Sequence, residues 1–261
     1  MIVLLPPSEG KTAPTEGSPI DLSRIEPFGS ELFQARTRVI ESLIEVSQRD
    51  EALDILGVGQ RVFPEVVANR ELWEAPTDAA FNVYSGVLFE AGKIADRGLS
   101  YQASESLQVL VQSALFGLVD LSSRIPRYRV SMGVKLPQLG SLAQYWKPHL
   151  DSLMTMMSTR QLVVDCRSGA YIKAWPGLDG DHDLLRITAL RDRNGKRTVV
   201  SHAAKKYRGI LAGALMDHAP ELLESFDCVI GIARGLVGQN GVVDVEIRER
   251  RGFLELALVT E

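Results

Sequence analysis

The sequence predicts an α+β fold, one domain in which a mixed sheet and helices share a core. Two kinds of segment lead there. Short continuous apolar runs read as strands buried on both faces, and longer stretches with apolar residues at i, i+3 and i+4 read as helices. The third observation is their order, which is too irregular for a doubly wound sheet. With 261 residues, 45% apolar and 24% charged, the chain suits a single domain over 1–261.

Residues 2–5 open the chain as a buried strand, and "PPSEGKTAPTEGSP" follows as a loop dense in proline and glycine. Helical spacing begins at Ser30, an expected N-cap, and runs through Leu32, Phe33, Val39, Ile40, Leu43 and Ile44. A second helical stretch starts at Glu51. Within about 51–72, Gly57-Val58-Gly59 joins two helical patterns, each glycine permitting the positive φ of a sharp connection. This is the outline of a helix-hairpin-helix, whose hairpin amides would face a phosphate backbone. Any turn between helices also favours glycine.

Leu107–Val119 reads as one buried strand, 141–157 as a helix and "QLVVDC" as another buried strand. "ITALRDRNGKRTVVSH" predicts two strands around the type I′ pair Asn194-Gly195. A helix then runs to about Asp217. "DCVIGIARG" reads as a strand, and "GVVDVEIRE" with "GFLELALV" as a closing hairpin turned at Arg251-Gly252. No apolar run approaches the length of a membrane span, and "MIVLLPP" is too short for a signal peptide. A cytoplasmic protein with no membrane partner is the expectation. Cys166 and Cys228 each sit in an apolar run and read as buried thiols, with no metal site and no cofactor motif beside them.

Charge is distributed unevenly over a chain whose net value is −4. Between Arg186 and Arg208 stand eight basic residues and one acid, and between Arg124 and Lys135 four basic residues and none acidic. Such clustering fits a positive groove on an acidic body, or two solvated hairpins. Lys205, Lys206 and Arg208 fall in the first turns of a helix, where the macrodipole already disfavours cations unless an anion visits.

The residues able to carry chemistry are hydroxyls and cations. Gly10-Lys11-Thr12 resembles the tail of a P-loop, yet Leu5 stands where its first glycine belongs, and Pro14, Gly17 and Pro19 forbid the following helix. Ser8, Lys11 and Thr12 then remain at the end of a strand, where ligands bind in open α/β sheets, or as a solvated loop. Tyr84 and Ser113 lie in apolar runs, and Tyr128 with Arg129 in a proline-bounded loop. Arg167, Ser168, Tyr171 and Lys173 follow a buried strand. The four histidines, His149, His182, His202 and His218, belong to no recognised catalytic set. None has a glutamate three residues before it, so a di-iron bundle is excluded.

Together these blocks resemble the YaaA family of peroxide stress proteins. The likeness covers nearly the whole chain and rests on the first strand leading to Ser8 and Lys11, "VYSG" (83–86), "SALFG" (113–117) and "PRYRVSMG" (126–133). It continues in "QYW" (144–146), in Ser168 with Tyr171, and in "AKKYRG" (204–209). The "PPSEGK" start is longer than in relatives, and Tyr207 replaces a small residue. The resemblance implies a positively charged cleft, DNA binding that includes a helix-hairpin-helix, and a role in limiting iron-driven oxidative damage under peroxide. By motif, the cleft would collect Ser8, Lys11, Tyr84, Ser113, Tyr128, Arg129, Ser168, Tyr171, Lys205, Lys206 and Arg208, with Gly57 and Gly59 in the hairpin.

Two functions follow as expectations. In the first, Lys205, Lys206, Arg208 and Arg129 hold the phosphates of duplex or branched DNA without reading its sequence. In the second, a nucleotide or nucleobase is bound and transformed in the same cleft. The candidates there are Lys11 or Lys205 as base or nucleophile, with Ser168 and Tyr171 beside them.

Overall fold

All four residues of Ile2–Leu5 are buried, and this apolar tetrad lies in the middle of the sheet, not at an edge. The computed structural model describes residues 1–104, 106–158, 161–177, 183–200, 203–219, 223 and 225–261. Strand β1 (Ile2–Leu5) leads through a long loop to α1 (Phe33–Ser47), α2 (Ala52–Leu56) and α3 (Phe63–Ala68). A two-residue strand β2 (Asp78–Ala79) precedes the short helices α4 (Ala80–Val83), α5 (Val87–Ala91) and α6 (Ile94–Gly98). Then come β3 (Gln108–Ser113), β4 (Gly117–Asp120), β5 (Arg124–Ile125), β6 (Lys135–Leu136) and β7 (Gly140–Ser141), followed by α7 (Leu142–Ser158). The chain closes with β8 (Val163–Asp165), α8 (Ala170–Ala174), β9 (Leu184–Arg193), β10 (Lys196–Val199), α9 (Ala204–Met216), α10 (Phe226–Gly235), β11 (Val242–Arg250) and β12 (Phe253–Thr260).

The main sheet is mixed, in the order β11-β12-β9-β8-β1-β3-β4, with β10 added to β9. Strand β1 runs parallel to β3 on one side and to β8 on the other, so Leu4 lies opposite both Leu110 and Asp165. The three carboxyl ends therefore share one edge of the sheet. The chain leaves β1 first toward β3 and later returns on the far side as β8, which makes that edge a topological switch point, the usual place for a ligand crevice. Antiparallel hairpins β3–β4, β9–β10 and β11–β12 give the sheet its mixed character.

The predicted turns at Asn194-Gly195 and Arg251-Gly252 are present, with φ of 55° and 81° at the first pair, as a type I′ turn requires. Five readings are corrected. Leu107–Val119 is two strands, because the chain turns at Ala114–Phe116, where Trp146 Nε1 donates to Ala114 O (2.8 Å). "DCVIGIARG" lies in the helix α10, started by Ser225, whose hydroxyl accepts from Cys228 N; Val229 and Ala233 bury one face at helical spacing. Cys228 is accordingly half-buried on a helix, whereas Cys166 is buried as expected. Ser30 does not cap α1: its hydroxyl donates to Glu31 (2.7 Å), and the helix starts from Leu32. In the 57–59 connection only Gly57 takes positive φ (64°); Gly59 is extended at −84°.

Two packing features hold the walls of the switch-point edge. Arg36 on α1 is completely buried, and its guanidinium donates to the carbonyl oxygens of Phe116 (3.0 Å), Ile25 (2.8 Å), Pro27 (3.0 Å) and Leu118 (2.9 Å). Burial pulls its pKa down to about 10, and no carboxylate among the described residues is within ion-pair distance. Backbone carbonyls thus solvate the charge and tie the 22–28 segment to the β3–β4 turn. On the other wall α9 crosses α5 backbone to backbone. A Cβ at Gly209 would stand 2.0 Å from Leu88 O, and one at Gly213 2.3 Å from Gly92 O.

Substituting Arg36→Met leaves several buried carbonyls without donors, so we expect a loss of about 3–5 kcal/mol. Urea unfolding measures it. A loss below ~1 kcal/mol would mean that water replaces the guanidinium, and that the cage does not organise the turn.

Candidate functional site

Loops from distant parts of the sequence meet above the carboxyl ends of β1, β3 and β8. The "SEGKT" loop is sewn to "VYSG": Lys11 bridges Tyr84, Thr12 N donates to Val83 O (2.9 Å), and Ser85 N donates to Ser8 Oγ (3.0 Å). Two sequence blocks 70 residues apart therefore make one piece of wall. The loop after β8 adds Ser168 and Tyr171, and the first turn of α9 adds Lys205.

Between them lies a cavity of about 370 Å³. Pro6, Pro7, Val87 and Phe89 give it apolar sides, and Ser8, Ser131, Ser168, Tyr171, Glu9 and Lys205 supply polar groups. A smaller hollow of about 100 Å³ adjoins it, sharing Ser8, Glu9, Ser131 and Tyr171 and adding Leu56, Gly57, Val58 and Arg129. The expected helix connection thus borders the site through Gly57, while Gly59 is not in the lining.

Behind the wall runs a chain of buried hydroxyls. Ser113 Oγ accepts from Leu115 N and Phe116 N (3.1 Å each), so both its lone pairs are used and its proton goes to Tyr128 Oη (2.8 Å). Tyr128 Oη is also hydrogen-bonded to Tyr84 Oη (3.0 Å), and either phenol can be the donor. Burial raises the pKa of all three phenols here, Tyr84, Tyr128 and Tyr171, so each keeps its proton. For Tyr171 the backbone N–H of Met132 opposes that rise without reversing it.

Lys11 sits against this chain. Its Nζ donates to Ser8 O (2.7 Å) and stands 4.1 Å from the centre of the Tyr128 ring and 5.7 Å from that of Tyr84. Burial, helped by the nearby Arg129 charge, brings its pKa down to about 7, against the weaker pull of Glu65 and Glu9. Near neutral pH this side chain is divided between ammonium and amine.

The cations do not gather as a single lining. Lys205 lines the larger cavity, is exposed, and has no ion-pair partner among the described residues. Arg129 lines the smaller one and is shared between Glu65 (3.4 Å) and Glu9 (3.7 Å). Lys206 turns outward to Asn240 O (3.2 Å). Arg208 turns inward to Ile187 O (2.8 Å), beside Cys166 and Asp165, and burial lowers its pKa. In the 186–200 hairpin, Arg197 is paired with Asp192, Asp244 and Glu246. Of the expected set, then, Ser8, Ser168, Tyr171 and Lys205 line the main cavity and Arg129 the adjoining one. Lys11, Tyr84, Tyr128 and Ser113 form the layer behind, and Lys206 and Arg208 belong to neither. His182 and His202 lie outside the described residues.

Below the site, Asp165 and Arg167 form a buried pair (2.8 Å), with Arg167 also donating to Gln112 Oε1 and Trp175 O and lying over the Trp175 ring. Burial pulls the Asp165 carboxyl up, yet the charge and hydrogen bonds of Arg167 outweigh it and hold it below its ordinary range. This pair fixes the start of the Ser168–Tyr171 loop. Sequence reasoning missed Glu9, Glu65, Ser85, Ser131 and Phe89; Glu9, Ser85 and Ser131 lie in "SEGKT", "VYSG" and "PRYRVSMG", where an acid or a serine is an ordinary loop residue and carries no signal of its own. Among the described residues no three His, Cys, Asp or Glu side chains cluster as metal ligands, and no helix is long and apolar enough to cross a membrane.

A family described as "Peroxide stress protein YaaA" matches residues 1–229. The chain is similar to a UPF0246 protein of Corynebacterium efficiens, 36% identical over 255 residues, which is 96% of this chain and 97% of the relative. It is also 36% identical to a UPF0246 protein of Streptomyces coelicolor over 218 residues, 83% of each chain. A Campylobacter jejuni protein described as uncharacterized is 26% identical over 214 residues, 81% of this chain and 82% of its own.

Because Lys11 titrates near 7 in the fold and near 10.4 when unfolded, the unfolded state binds more protons between those values. Stability should therefore rise with pH from about 7 to about 10 at this residue, and its contribution should be fully lost below the folded pKa. Urea unfolding at intervals across that range, wild type against Lys11→Met, isolates the effect: the variant should gain less stability with pH. Parallel curves would show that the ammonium is not desolvated.

Proposed function

The chain belongs to the peroxide stress protein YaaA family, and from that premise we propose that its cavity binds one nucleotide unit. The observation that carries this reading is the hollow of about 370 Å³, with apolar walls, four serine hydroxyls and, at Lys205, an ammonium with no ion-pair partner among the described residues. Sites for small molecules occupy roughly 300–1,000 Å³ and are mostly apolar with a few placed polar groups. A base would lie between Pro6–Pro7 and Val87–Phe89, and a phosphate would meet Lys205 at the mouth. A duplex is too wide for such a hollow, since even its major groove spans about 12 Å.

A second reading, binding to the backbone of duplex or branched DNA, is favoured by one observation: the Leu56–Val58 connection and Arg129 border the hollow that adjoins the cavity. A strand crossing the hairpin would bring a nucleotide unit to the cavity's edge. In the peroxide response, the protein would then act where iron-driven oxidation damages DNA or its precursors.

Thermal unfolding with nucleoside monophosphates, nucleosides and inorganic phosphate tests the first reading. A ligand at 100 times its Kd contributes about 2.7 kcal/mol, and Lys205→Ala should reduce the shift for monophosphates while sparing nucleosides. Equal shifts with phosphate alone would overturn it. For the second, fluorescence anisotropy with duplex and branched DNA should show affinity falling steeply between about 50 and 200 mM salt, with Arg129→Ala weakening it uniformly across sequences.

A further inference from the structure

We propose that β11 is the interface of a homodimer, in which two copies of the chain pair antiparallel about a two-fold axis at Ile247 and join their sheets into one.

The edge is open. Strand β11 ends the sheet order, and among the described residues only β12 pairs with it. From Val243 to Arg250 no residue is buried, and Val243 is 40% exposed. Arg250 and Phe253 flank the two-residue turn Arg251-Gly252 and so exchange their bonds inside the hairpin. Along an antiparallel strand this alternates, so Arg248, Glu246 and Asp244 also bond inward and Val245, Ile247 and Glu249 point their backbone groups outward. Val245 agrees with that assignment, because its N–H donates to the Asp244 carboxylate (2.8 Å).

Charged residues usually protect such an edge from pairing. Here they are sorted by sign: Asp244 and Glu246 come first, Arg248 and Arg250 last. An antiparallel copy reverses that order. With Ile247 opposite itself, Val245 stands opposite Glu249 of the second copy, and the outward N–H and C=O groups meet in matched pairs. Glu246 then faces Arg248 of the second copy, and Asp244 faces Arg250. Both are non-hydrogen-bonded pairs, in which opposed Cα atoms come closest, about 4.5 Å, and opposite charges support the pairing.

No other register keeps every charge matched. Centring on Glu246 or on Arg248 sets that residue against its own copy. Centring on Val245 sets Asp244 against Glu246, and centring on Glu249 sets Arg248 against Arg250. Registers that oppose an outward residue to an inward one lose the backbone bonds. A strand complementary to itself in a single register is what an isologous interface requires.

The pairs already made inside one copy leave room for this. Asp244 and Glu246 accept from Arg197, Glu246 also from Arg248, and Glu255 takes Arg250. A carboxylate has about four acceptor positions, so a second guanidinium can be added to each acid. The Asp244 oxygen that now holds Val245 N–H is released when the Glu249 carbonyl of the second copy takes its place.

Sedimentation of the full chain tests the proposal. The mass should rise from one copy toward two between about 1 and 100 µM, and the rise should shrink as salt is added. Arg248→Glu/Arg250→Glu sets acids against acids, and Asp244→Arg/Glu246→Arg sets cations against cations, so each double variant alone should remain a single copy. An equimolar mixture of the two should associate, because every opposed pair then has opposite sign. Ile247→Pro removes an outward N–H, a change that edge strands tolerate, and should also remain a single copy. In the unmodified protein, the Ile247 and Glu249 amides should exchange more slowly at the high end of the concentration range.

A wild-type mass that stays at one copy throughout, or a dimer that persists in both double variants, would overturn the proposal. So would folded variants that fail to associate when mixed. Should a double variant lose the wild-type circular dichroism, the other two measurements decide: a dimer unaffected by Ile247→Pro, or amide exchange independent of concentration, counts against it.

Discussion

The hydrogen bonds that β1 makes on both of its edges are the constraint on which the site depends. Because β3 and β8 both run parallel to it in matched register, three loops with no sequence relation emerge side by side. Ser8 and Ser168 come from two of these loops, and Ser113 ends β3 beside the third. The four apolar side chains of β1 fix this arrangement, since a strand buried on both faces has no other favourable place in the molecule. Everything above the sheet edge, including the cavity and the hydroxyl chain, inherits its geometry from that register.

Charge inside this architecture is managed by two different means. Arg36 is solvated by backbone carbonyls, whereas Arg167 is matched by Asp165. Both lie in the layers that support the site. The cavity itself keeps one exposed ammonium at its mouth and one desolvated lysine behind its wall. The cavity lining thus holds few ionic groups and many hydroxyl and apolar ones.

Much of this was legible in the residues. The β1 run, the Asn194-Gly195 hairpin and the long helices carry local signals strong enough to survive tertiary packing. The "DCVIGIARG" segment misled because its short apolar run suits a buried strand as well as a helix, and only the Ser225 cap distinguishes them. In the 107–119 run, the break at Ala114–Phe116 is made by Trp146 and Arg36, both distant in sequence. For the site, residue type singled out Ser8, Ser168, Tyr171 and Lys205, which the fold brings to the lining of one hollow. It could not tell which way Lys206 and Arg208 face, because helix rotation is set by how α9 packs on α5. Nor could it foresee that acids would claim Arg129 and Arg197.

The contact of Gly209 and Gly213 with the α5 backbone has one more effect. With carbonyl oxygens already seated where side chains would stand, these two helices have no room to slide, and the Val87–Phe89 wall and the Lys205 corner move as one rigid jaw. The opposite side, the Pro6–Gly10 segment and the Ser168–Tyr171 turn, is held instead by side chains and amides reaching in from elsewhere, Ser85, Arg129 and Arg167 among them, so its shape depends on those contacts and not on helix against helix.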